Sequence, residues 1–109
     1  MTQPLSRLER ACVELIAKHN WPTFRCDRLE VIRRENTGVG RYVYLNDPQA
    51  QELIDGTYGP EPGRAIQMLG VEFGLDFAVD VSRGRLNYLE LVTSGNDGWD
   101  GEEREWHFV

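Results

Sequence analysis

Leu75, Phe77, Val79 and Val81 alternate with Asp76, Ala78 and Asp80, a period of two that sends every large apolar side chain to one face of a β-strand. A 3.6-residue helical repeat would scatter the same residues around its circumference, so helix is excluded over this stretch. Ser82-Arg83-Gly84 turns the chain, and Arg85 to Thr93 returns as the second strand of an antiparallel hairpin. In the return strand Leu86 and Tyr88 share one phase while Leu89 and Leu91 share the other. Either a β-bulge near Tyr88-Leu89 reconciles them or both faces are partly covered. A sheet with one apolar face must be covered by another element of the chain.

The cover is predicted at the N-terminus. Ser6-Arg7-Leu8-Glu9 fits a capping box, in which the serine hydroxyl and the glutamate each satisfy a backbone N–H left free at a helix start. Leu5, Leu8, Cys12, Leu15, Ile16 and His19 follow three or four apart on one face, with Arg7, Arg10, Glu14 and Lys18 on the other side. Pro22 drives Trp21 out of the α region and ends the helix at Asn20-Trp21-Pro22. A second hairpin is expected from residues 28–33 and 41–45, turned by glycines within Glu35 to Gly40. Asp47-Pro48 suits the start of a short helix running to Ile54. Residues 55–63, with two prolines and three glycines, read as an irregular loop, residues 64–71 fit helix or strand equally, and residues 104–109 suit a last short strand. The expected fold is therefore α+β: one domain over residues 1–109, with the N-terminal helix packed on an antiparallel sheet of about four to five strands.

At 109 residues and 40% hydrophobic, the chain is rich enough in apolar groups to bury a core rather than stay disordered. Its 12 basic and 18 acidic residues leave a formal charge of −6, which argues against nucleic acid as a partner because phosphate binding needs clustered Lys and Arg. No apolar run approaches the roughly 20 residues of a membrane span. The N-terminal stretch lacks the apolar core of a signal peptide, so the expected compartment is the cytoplasm. Cys12 and Cys26 are too few for a disulfide scaffold.

Chemistry-bearing motifs are sparse. Cys12, His19, Cys26 and His107 lack the paired spacing of a zinc site, so no metal is expected. Cys26, between Arg25 and Arg28, is the better placed of the two thiols for a depressed pKa, and none of Ser6, Ser82 and Ser94 lies in a nucleophile elbow. Gly38-Val39-Gly40 lacks the third glycine and following helix of a phosphate-binding loop, and no cofactor is expected. Asp76 and Asp80 share a strand face, with Glu90 on the adjacent strand. Such carboxylates can split their pKa values and act as acid and base, or simply solvate the sheet.

Charge is unevenly spread. Residues 1–46 hold eight basic and five acidic groups, residues 47–86 three against seven, and residues 87–109 one against six. In the last segment Asp97, Asp100, Glu102, Glu103 and Glu105 are interleaved with Trp99 and Trp106. Aromatic anchors among carboxylates suit a protein partner with a basic face, so Asp97, Trp99, Asp100, Glu102 and Glu103, with Tyr58 in the Pro/Gly loop, are the candidate partner-binding residues.

The run Asp80-Val81-Ser82-Arg83-Gly84-Arg85-Leu86-Asn87-Tyr88-Leu89-Glu90-Leu91, followed by Gly95-Asn96-Asp97-Gly98-Trp99, resembles a strand–turn–strand pattern of immunity proteins from bacterial polymorphic-toxin and contact-dependent growth inhibition systems. The resemblance implies a protein without catalysis that neutralises a cognate toxin domain, often a basic nuclease, by covering its active surface. A small enzyme or ligand-binding domain built on Asp76, Asp80 and Glu90 is the alternative.

Overall fold

The computed structural model describes residues 1–48 and 52–109. Its elements are α1 (Arg7–Asn20), β1 (Glu30–Asn36), β2 (Gly40–Asn46), β3 (Gly56–Tyr58), β4 (Ile66–Met68), β5 (Val71–Ser82), β6 (Arg85–Thr93) and β7 (Trp106–Phe108). The fold is α+β, and every strand pairing is antiparallel. The sheet has seven strands rather than four to five, in the order β1-β2-β6-β5-β4-β7, with β3 also on β5.

The extra strands come from the length of β5. Twelve residues extend about 40 Å, and two short strands share the edge that β6 leaves open. Leu75 and Val71 pair with β4, while Val79 to Val81 pair with β3. The segment expected to be an irregular loop thus contains a strand: Thr57 and Tyr58 extend beside Asp80 and Val79. The ambiguous stretch resolves as β4, followed by a turn at Leu69-Gly70 in which Gly70 has φ +87°. Of the expected short helix of residues 47–54, residues 49–51 lie outside the described ones, and Asp47, Pro48 and Glu52 to Ile54 are not helical.

The conflict of phase in β6 resolves as a bulge. Asp80 stands opposite Tyr88 and Val81 opposite Leu86, so Asn87 is the additional residue, and Leu86, Leu89 and Leu91 all become buried. At the hairpin tip Arg83 and Gly84 both have positive φ, +55° and +75°, the backbone that a tight two-residue connection requires.

α1 begins as the capping box predicts. The Glu9 amide donates to Ser6 Oγ at 3.1 Å and the Ser6 amide to Glu9 Oε1 at 2.9 Å. Its buried side, however, is rotated from the expected one: Leu8, Glu9, Cys12, Val13, Ile16 and Ala17 face inward. Leu15 is only half-buried and His19 is exposed. The rotation follows from Glu9, whose carboxylate is drawn beneath the helix by two arginines of the sheet. The core lies between α1 and one sheet face, joining Leu8, Ile16, Val43, Leu75, Val79, Leu89 and Leu91. The molecule measures 38 × 33 × 20 Å. Its 20 Å thickness holds one sheet and one helix at about 10 Å each, and among the described residues no helix covers the second sheet face. No helix among the described residues is long and apolar enough to cross a membrane.

Candidate functional site

The acidic C-terminal segment is a strap rather than a free arm. Trp99, expected to anchor a partner, is 3% exposed and belongs to the core. Its backbone N–H donates to Gly38 O at 2.9 Å and its indole Nε1 to Glu102 O at 2.9 Å. The Arg41 guanidinium lies over the ring at 5.0 Å. Glu103 is committed as well: its Oε2 accepts from Arg41 NH1 at 2.6 Å. Two of the candidate contacts thus serve the fold, because a buried arginine of β2 collects them.

Arg41 occupies an inward position of β2, where Val43 and Leu45 are apolar. A charge there is tolerable only when paired and fully hydrogen-bonded. Its NH1 donates to Glu9 Oε2 at 3.0 Å, its Nε to Asn36 Oδ1 at 3.1 Å and its NH2 to the Gly101 carbonyl. Glu9 also accepts from Arg34 Nε and NH2 at 2.8 and 2.7 Å. Burial pushes the Glu9 carboxyl up, but the Arg34 hydrogen bonds, the Ser6 amide and both guanidinium charges outweigh it, and the net shift is downward. Helix, hairpin and strap meet in this one ionic knot.

Of the other candidate contacts, Asp100 is held to about pKa 2, first by its hydrogen bonds from Arg104. Glu102 lies 3.3 Å from the same guanidinium. Asp97 accepts from the Phe73 amide at 3.2 Å. Tyr58 is half-buried with its ring edge-on to Trp21 at 4.7 Å, its hydroxyl donating to Ile54 O at 2.6 Å. Asp97 is half-buried while Asp100 and Glu102 are exposed, all on one loop, but Tyr58 lies on β3, against the core.

The thiols sit in unreactive surroundings. The Cys26 thiol is pushed up to about 11, by burial first and then by the Glu14 charge. Burial pushes the Cys12 thiol well above its usual value. His19 and His107 are exposed on different elements, and no group of three His, Cys, Asp or Glu among the described residues is placed to hold a metal ion. Gly38 supplies a positive φ to the β1–β2 turn and Gly40 a close backbone approach. Gly38 has φ +89°, and a Cβ at Gly40 would stand 2.1 Å from Leu91 O.

The uncovered sheet face holds what motif spacing missed. Tyr42, Tyr44 and Tyr88 form one cluster, with ring centroids 5.4 to 6.2 Å apart. The register explains why they meet. Arg33, Tyr44, Tyr88 and Asp80 lie in one row across four strands, and Glu35, Tyr42, Glu90 and Ala78 in the next. Asp76 stands opposite Val92 further along β5. Arg33 Cζ stacks 3.9 Å above the Tyr44 ring. The Tyr42 phenol is raised, chiefly by its hydrogen bond with Glu90, and the Tyr88 phenol by burial and then by Asp80 and Glu90. Asp80 accepts from Ser82 Oγ and from Asn87 Nδ2, both at 3.0 Å, and Asp76 from Ser94 Oγ at 2.9 Å. The sequence did carry a signal for this face, since Tyr42 and Tyr44 are out of phase with Val43 and Leu45, as Tyr88 and Glu90 are with Leu89 and Leu91.

On the opposite side of the molecule, a groove of about 850 Å³ runs beside α1, lined in part by Arg10, Leu15, Lys18, Trp21 and Phe24. No protein-family model matches the chain, and neither a curated protein nor a solved structure matches it.

Proposed function

We propose that this chain is a protein-binding module of the immunity type, acting in the cytoplasm by docking its open sheet face on a basic toxin domain and occluding the surface that the toxin uses on its substrate. The observation that carries this reading is the Tyr42–Tyr44–Tyr88 cluster, set among Glu35, Asp76, Asp80 and Glu90 on a face that no helix among the described residues covers. Tyrosine gives large, rigid contact area at low entropic cost, with a hydroxyl for the wet rim. Carboxylates around it speed encounter with a basic partner and disfavour acidic ones. The exposed Asp100 and Glu102, with the half-buried Asp97, extend the same field from the C-terminal strap. The likeness of residues 80–91 and 95–99 to immunity proteins points the same way.

The enzyme or small-ligand reading has weaker support. Asp76 and Asp80 are about 13 Å apart along β5, too far to act together on one atom. Small-molecule sites are concave, whereas the 850 Å³ groove lies beside α1 and has none of these carboxylates in its lining.

Co-expression with a toxic domain encoded by the adjoining gene tests the function. The wild-type chain is expected to restore growth and to elute with the toxin as one complex. Growth arrest with no complex would contradict the immunity reading.

A further inference from the structure

Arg33 shows how this sheet face accommodates a guanidinium. Its Cζ lies over the Tyr44 ring, 3.9 Å from the centroid, and its NH1 reaches to 4.0 Å from Glu35 Oε2 in the neighbouring row. The same pairing of ring and carboxylate recurs one strand further in. Tyr88 stands opposite Tyr44, with Asp80 beyond it in its own row and Glu90 in the next. The Tyr42 ring stands edge-on to Tyr88 at 77° and 5.4 Å, a wall beside the platform.

At this inner position no cation among the described residues is paired with the carboxylates. Asp80 accepts from the neutral groups of Ser82 and Asn87, both on Oδ2. Among the described residues no ion pair engages Asp80 or Glu90. In the register Asp80 stands directly opposite Tyr88, and Glu90 follows two residues along β6, opposite Ala78.

We propose that Tyr88, walled by Tyr42 and flanked by Asp80 and Glu90, is the seat for one arginine side chain of the protein partner. The seat rests on the partner-binding reading above and names the chemistry it selects. Arginine fits better than lysine for two reasons. Its planar guanidinium stacks on an aromatic face and is more weakly hydrated than an ammonium, and its forked N–H groups can reach two carboxylates from one position.

The test uses the whole chain and capped Gly-X-Gly tripeptides in which X is arginine, lysine or citrulline, followed by NMR of the tyrosine ring protons. The arginine peptide is expected to shift the Tyr88 and Tyr42 rings saturably at millimolar concentration, the lysine peptide more weakly, and the uncharged citrulline peptide not at all. Glu90→Gln and Tyr88→Leu should each weaken arginine binding about two- to fivefold. Equal shifts from arginine and citrulline, or tyrosine rings unmoved at the highest arginine concentration, would overturn the seat. If the peptide fails while Tyr42→Ala/Tyr88→Ala still releases the partner, the arginine seat falls and the partner-binding reading stands. If the peptide binds as expected but the wild-type chain forms no complex with the toxin, the seat stands and the immunity reading falls.

Discussion

Glu9→Ala is expected to remove about 3–5 kcal/mol of folding stability in a denaturant titration, the usual cost of deleting one partner of a buried ion pair. Glu9 is fully buried and accepts from both Arg34 and Arg41. Its loss strands Arg41, whose side chain is 7% exposed, with Glu103 alone for counter-charge. Arg34 suffers less, because at 26% exposure it still reaches water. The same variant removes half of the helix cap. The pH dependence has a definite sign. Because the folded carboxyl titrates below its ordinary range, its contribution is complete above the unfolded value near about 4.3 and is lost as pH falls through the lower folded value. Glu9→Gln should flatten this acid limb of the stability profile. A loss below about 1 kcal/mol for Glu9→Ala would mean that the knot is better solvated than its geometry shows.

Trp99→Ala is expected to cost a similar amount, about 3–5 kcal/mol, as a large-to-small truncation in the core. The ring is 3% exposed, carries the Arg41 guanidinium on its face and ties residue 102 through its indole N–H. Removing it opens a cavity and unfastens the strap that supplies Glu103 and the Gly101 carbonyl to Arg41. Any fall in partner binding by this variant should track its fraction unfolded, measured by calorimetry in the same buffer. Wild-type stability combined with lost binding would return Trp99 to the interface.

These two residues mark where the sequence stops being legible. The β5–β6 hairpin was readable from four alternating apolar residues, and the phase slip between Leu86 and Leu89 offered a bulge as one of two readings, because both signals are local consequences of a two-residue period. The capping box was readable because its partners lie three residues apart. The inward turn of Trp99, with the pairing of Glu103 to Arg41, was not readable. It depends on Arg41, 62 residues from Glu103 in the chain, and no local pattern distinguishes a tryptophan in a polar loop that anchors a partner from one folded inward. The rotation of α1 has the same origin: a buried glutamate contradicts any count of apolar positions until its two arginines are known. The outward phase of Tyr42, Tyr44 and Tyr88 was legible residue by residue, but their meeting was not, since it needs the β2–β6 register that pairs Tyr44 with Tyr88.

Titration calorimetry of the cognate toxin domain against two folded variants separates the open sheet face from the acidic strap. Tyr42→Ala/Tyr88→Ala removes two ring platforms from the centre of the open face and is expected to weaken binding by about 100-fold or more, as paired hot-spot truncations do. Asp100→Asn/Glu102→Gln alters exposed carboxylates already engaged by Arg104 and is expected to cost about threefold or less, mostly in association rate. The opposite ranking, with the tyrosine variant near wild-type affinity and the strap variant severely weakened, would place the interface on the C-terminal strap and contradict an open-face binding site.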